Sequence, residues 1–244
     1  MNIDKYIILL KEIAEYRKQI NERIIFEKKN KKDLYLILFN IRILELVESI
    51  LAQYSNHLYV SIPILFRSIF EAFVDFENIY RDSNYTNYLD LEYFIKWEKL
   101  FKSAELGNSF LKILTESSSQ TQKTQILNSE YDKLKKKGYK KLRNEQKIKK
   151  AVDSAVYYSV YNFACSESHN DLWTLFGWNT NVNQDKSFSV ECFSQDKEKL
   201  LPYLDATSAM FLNSIKLLMD YLKISIDDNY EKLVNSLESL RKCA

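Results

Sequence analysis

Glycine and proline, the residues that most often turn or interrupt a chain, number only 3 and 2 in 244. That scarcity constrains the fold more than any motif does. Sheets joined by tight turns need left-handed or φ-locked positions, and this chain has almost none to offer. Its apolar residues must therefore be buried by helices, and the spacing agrees. Ile8, Leu9, Ile13, Tyr16, Ile20 and Ile24 recur at helical intervals over Ile3 to Phe26, as an amphipathic helix requires. The fold expected is all-α, a bundle of about seven helices, with at most one short extended segment near 187–192. There Phe188, Val190 and Cys192 alternate with Ser187, Ser189 and Glu191. One core can serve a chain of this length, so residues 1–244 are expected to form a single domain.

Further along, Asp33 is placed to cap a second helix running through Leu36, Ile43 and Val47. Leu58 to Arg81 is apolar on most of its circumference, with Pro63 near its start, where a missing N–H costs little. Leu89 to Leu114 reads as a fourth helix weakened at Gly107. The run from Glu116 to Gln125 has no apolar anchor and is expected to be a flexible surface loop, followed by a basic helical arm near 130–150. Ala151 to Ser168, Lys197 to Leu222 and Asn229 to Leu240 supply the remaining helices.

Composition excludes several functions. With three glycines, no Walker A string and no dinucleotide turn, phosphate-cradling loops are not expected, nor is a nucleotide cofactor. Three cysteines without a CxxC pair and only His57 and His169 predict no metal site. No basic segment leads into an apolar run at the N-terminus, and the Leu34–Val47 stretch is broken by Asn40, Arg42 and Glu45. A cytoplasmic protein without membrane contact is expected.

Two polar stripes stand out. Arg67 and Glu71 lie one turn apart on the most apolar helix, and Asp75 and Asn78 extend the line. Ionised groups in such surroundings must be paired, either to lock a neighbouring helix or to hold something polar from outside. On a second helix Tyr158, Asn162, Cys165 and His169 fall at i, i+4, i+7 and i+11, placing hydroxyl, amide, thiol and imidazole on one line. Separately, Lys133 to Lys150 holds ten basic residues against Glu145. Lys140, Lys141 and Arg143 in it are candidate phosphate contacts, and a solvated helical face is the alternative.

The string Pro63-Ile64-Leu65-Phe66-Arg67-Ser68-Ile69-Phe70-Glu71, followed downstream by Ser166-Glu167-Ser168-His169, resembles an uncharacterised bacterial helical family marked by Arg-x3-Glu and Ser-x-His motifs, over residues 40 to 175. More loosely, the chain resembles the HEPN superfamily, helical bundles of toxin and phage-defence systems whose ribonuclease members carry an Arg and a His close together on one helix. Here Phe163, Ala164 and Cys165 occupy the places where that Arg would stand, so Arg67 would supply the cation from another helix. The resemblance implies an RNA-directed effector in which Arg67, Glu71 and His169 are catalytic and Tyr158, Asn162 and Cys165 line the substrate site, alone or with a cognate partner protein. The alternative is a non-enzymatic module that binds a ligand or assembles as a homodimer.

Overall fold

The structure is a computed structural model that describes residues 3–26, 30–114, 118–151, 159, 161–168, 171–190, 192, 194 and 196–242; of residues 112–126, 167 and 173 only the backbone is described. Among these residues lie ten α-helices: α1 Ile3–Ile20, α2 Lys31–Ser55, α3 Ile62–Arg81, α4 Tyr85–Glu105, α5 Ser118–Lys136, α6 Asn144–Ala151, α7 Asn162–Ser168, α8 Leu172–Asn179, α9 Leu201–Tyr221 and α10 Asp228–Lys242. The all-α class expected from the sequence is what is observed. The expected extended segment is present as strand β2, Phe188–Val190. It pairs antiparallel with β1, Thr180–Val182, which follows α8 directly. Thr180-Asn181-Val182 holds a single apolar residue, so β1 left no alternation in the pattern.

The chain divides into two compact units, residues 1–81 with 147–244, and residues 82–146. In the first, α1, α2, α3, α9 and α10 meet around one core. Leu10 and Ile13 of α1, Ile43 and Val47 of α2, Ile62 and Ile69 of α3, and Phe211 and Ile215 of α9 are completely buried there. Fully burying side chains of this size stabilises by about 1.5–3 kcal/mol each, which explains why five helices converge on this set. Asn30, not Asp33, caps α2: its side chain accepts from the backbone N–H groups of Lys32 and Asp33 at 3.1 and 3.4 Å. Asp33 instead accepts the Tyr221 hydroxyl at 2.6 Å. Pro63 sits in the first turn of α3, as expected.

In the second unit α4 packs on α5. Both helices end on a glycine at positive φ, Gly107 at 88° and Gly138 at 85°. At Gly138 the backbone N–H groups of Gly138 and Tyr139 donate to the carbonyls of Lys135 and Leu134. These are the paired bonds of a Schellman stop, and only glycine takes that conformation without strain. The basic arm expected near 130–150 is thus interrupted after Lys136 and resumes as helix at Asn144. Of the stretch 116–125 expected as a loop, residues 118–125 are helical, since α5 begins at Ser118. Serine, threonine and glutamine are indifferent helix formers, but without Gly or Pro nothing forbids the helix.

Candidate functional site

The polar stripe of α3 does what its surroundings demand, its two halves pairing with different neighbouring helices. Toward the C-terminal half of α3, Asn78 is buried and its amide donates to the Lys147 carbonyl of α6 at 2.9 Å, while Asp75 pairs with the Lys147 ammonium at 3.4 Å. Lys147 is itself buried, so one member of the basic run is a structural ion pair and not a solvated charge. Phe70 and Val74 beside this stripe pack on Ile148, Ala151 and Tyr161.

One turn earlier, Arg67 and Glu71 form the centre of a cluster with α7. Arg67 Nε donates to Glu71 Oε1 at 3.1 Å and Nη1 donates to Ser168 Oγ at 2.5 Å. The Tyr161 hydroxyl donates to the same Glu71 oxygen at 3.2 Å, and its ring centroid lies 5.7 Å from the guanidinium carbon. Ser168 also donates to the Cys165 carbonyl at 3.1 Å. The Arg67 side chain is 20% exposed and that of Glu71 43%. Burial works against the charge on Arg67, but the hydrogen bond to Glu71, with Cys165 and Tyr161 adding to it, overcomes that and raises its pKa above the ordinary arginine value. Arg67 therefore keeps its charge, paired to Glu71 and with one edge open to water.

The sequence placed Arg67 and Glu71 together but missed Tyr161 and Ser168. On α7 and the residue just before it the inward positions are Tyr161, Ala164, Cys165 and Ser168, spaced i, i+3, i+4 and i+7, the signal of a helix face. Asn162, read as part of the polar line, is exposed and does not join the cluster. Ser159 and Tyr161 have π-helical geometry, and such a widened turn shifts the register by one residue relative to an α-helical wheel. Cys165 is half-buried against the Phe70 group. Tyr158 and His169 lie outside the described residues. Ser168 is the residue immediately before His169 and Ser166 the third before it, so the serines flank the Ser-x-His spacing instead of matching it.

Lys140, Lys141 and Arg143 are exposed in the segment between α5 and α6. The Arg143 backbone N–H donates to the Gln146 side chain at 2.8 Å, the reach-back half of a capping box that starts α6. Among the described residues, no group of three or more His, Cys, Asp or Glu side chains could hold a metal. No helix of these residues is long and apolar enough to cross a membrane.

A second polar group, unanticipated from the sequence, sits in the core of the first unit. Arg17 of α1 is completely buried. Its Nε donates to Asn40 Oδ1, its Nη1 donates to Asn21 Oδ1 at 2.6 Å, and its Nη2 has no hydrogen-bond partner. Asn40 passes the chain on, donating to Ser214 Oγ at 2.9 Å. With no carboxylate beside it, burial alone pulls the Arg17 pKa down to about 10. Arg17 stands four residues after Ile13 and seven after Leu10, so the apolar wheel of α1 did carry the signal.

The model of a family of unknown function, DUF5677, matches residues 33–187. The chain belongs to this family. The matched stretch contains Arg67, Glu71, Tyr161, Ser168 and the basic segment, and it leaves α1, α9 and α10, with Arg17 and Ser214, outside. No match to the chain is found among curated proteins or among solved structures.

Proposed function

We propose that this protein acts on RNA, with Arg67, Glu71 and His169 at the reacting centre and Lys140, Lys141 and Arg143 as contacts for the phosphate backbone. One observation carries the reading: the hydrogen bond from Arg67 to Ser168 ties a partly exposed cation of α3 to the residue next to His169, across 101 positions of sequence. In this chemistry His169 takes the proton of a ribose 2′-hydroxyl as that oxygen attacks phosphorus. The bond to the 5′-oxygen breaks, the proton is returned to that leaving oxygen, and a 2′,3′-cyclic phosphate remains. Arg67 stabilises the charge that develops on the nonbridging oxygens, with Glu71 and Tyr161 fixing its orientation. Asn162, exposed beside the cluster, is available to the substrate, and Tyr158 and Cys165 complete its lining. The HEPN resemblance implies an effector of a bacterial defence or toxin system as the setting.

The test is single-turnover cleavage of single-stranded RNA by the parent, Arg67→Ala and His169→Ala. Losses of about 100-fold or more in both variants are expected, because each removes a charge-stabilising or proton-transferring group. Equal rates in all three proteins reject these roles.

A second reading is a non-enzymatic ligand-binding or assembly module. It is favoured by the guanidinium already having Nε and Nη1 engaged by Glu71 and Ser168, as in a lock between helices. In that case the parent cleaves nothing, and a ligand that raises its melting temperature by mass action loses its effect on Arg67→Met.

A further inference from the structure

The hairpin that follows α8 has two unlike faces, and the apolar one is uncovered. Val182 stands directly opposite Phe188, and Thr180 opposite Val190. Opposed residues of an antiparallel pair share a face, as do residues two apart along a strand. Thr180, Val182, Phe188 and Val190 therefore lie on one side and Asn181 and Ser189 on the other. Val182, Phe188 and Val190 are 66%, 57% and 82% exposed. The face does not stop at the strands. The Phe188 ring packs edge-on against Phe176 of α8 at 5.0 Å, and Phe176 continues into Leu172 and Leu175 at helical i, i+3, i+4 spacing, 76% and 42% exposed.

These six side chains are more than half exposed on average, and the two phenylalanines among them are of roughly 150–250 Å² each, so together they present several hundred Å² of apolar surface. The largest apolar patch of a typical monomer is ~300–600 Å², whereas one side of a stable protein interface takes ~800 Å². A two-stranded hairpin alone is marginal in water, so this one needs a cover. Charge narrows the choice of occupant. Between Leu172 and Val190 the only charged residues are Asp185 and Lys186, adjacent at the hairpin turn and of opposite sign. A second copy of the face therefore meets it without repulsion. Neither strand carries the lysine or proline with which solitary edges are protected from pairing.

We propose that this face is the seam of a homodimer, two copies packing α8 and the hairpin against each other about a two-fold axis. Such an isologous arrangement buries the same apolar patch on both chains at once. It is independent of the RNA reading, since none of these residues belongs to the Arg67 cluster.

Sedimentation equilibrium of the full chain at micromolar concentration, with three proteins, tests it. The parent and Asn181→Asp/Ser189→Asp, altered on the polar face of the same hairpin, are expected at twice the 29.0 kDa chain mass. Val182→Asp/Val190→Asp is expected at the single chain mass, with an unchanged helical circular dichroism signal. Amide hydrogen exchange of the unaltered parent gives a check that depends on no substitution: protection across 172–190 rises with protein concentration. A monomeric parent, a dimer that survives the apolar-face substitutions, or concentration-dependent protection confined to other segments overturns the proposal.

Discussion

Arg17 and Arg67 occupy apolar helices of the same unit, and the protein treats them in opposite ways. Arg17 is sealed in the core with neutral acceptors only, Asn40 and Asn21, and with one nitrogen unmatched. Arg67 keeps an edge in water, has a carboxylate within 3.1 Å and bridges α3 to α7. A buried charge without a counter-charge is a net cost that the surrounding core must offset. A paired, partly solvated one retains its charge at little cost and can present it to a ligand. The two teach that a polar residue on an apolar helix face is not by itself a site; its counter-charge and its exposure decide.

The largest effect that would sharpen this contrast is at Asn40. Asn40→Leu strips the Arg17 guanidinium of its Nε acceptor, and a loss of about 3–5 kcal/mol in unfolding free energy is expected by denaturant titration. Arg17→Met combined with Asn40→Leu removes charge and acceptor together and is expected to be within about 1 kcal/mol of the parent, or more stable. A double variant as unstable as Asn40→Leu alone would break the comparison, because it would make the network a net contributor.

Arg67→Met comes next. Its pair is largely solvated on the Glu71 side, so only about 1 kcal/mol of stability is expected to be lost, while RNA turnover or ligand binding falls far more than stability does. If instead it unfolds the protein as Asn40→Leu does, the two arginines are of one kind. Tyr161→Phe deletes one hydroxyl from Glu71 and should cost about 0.5–1 kcal/mol, measured by the same titration.

The smallest effect serves as a surface baseline. Asp227 caps the first turn of α10 through the Tyr230 N–H at 3.1 Å and pairs with Arg23 at 3.1 Å. Burial tends to raise its pKa, but the hydrogen bonds from the Tyr230 backbone, Tyr16 and Arg23 outweigh that and hold it below the usual carboxylate value. Its charge therefore stabilises the fold above the unfolded aspartate range, and that contribution disappears as pH falls through the folded pKa. Asp227→Asn, which can still cap, should lose about 0.5 kcal/mol at neutral pH, and the difference from the parent should vanish in acid.

Much of the scaffold was legible in the residues. The stripe on α3, the early Pro63, the terminal helices and the extended run at 188–190 follow from periodicity and turn chemistry alone. The Arg67–Glu71 pair was legible too, since the two residues are one turn apart and need no tertiary information to meet. Ser168 and Tyr161 were not, because they approach from a helix whose register is displaced by π-helical geometry at 159 and 161. Asn162 faces outward for the same reason. β1 escaped notice because it holds one apolar residue and begins where α8 ends.

What the sequence determined by itself is the kind of structure and, where the α-helix is regular, the direction each side chain leaves it, because both depend on local φ/ψ preference and a repeat of 3.6 residues. Depth was decided only when helices assembled. Arg17 and Arg67 look alike on their wheels, but α1 is enclosed by α2, α9 and α10 while α3 meets α7 near an open edge. Solvent exposure and counter-charge are properties of that enclosure. They separate an arginine sealed in the core from one that keeps an edge in water.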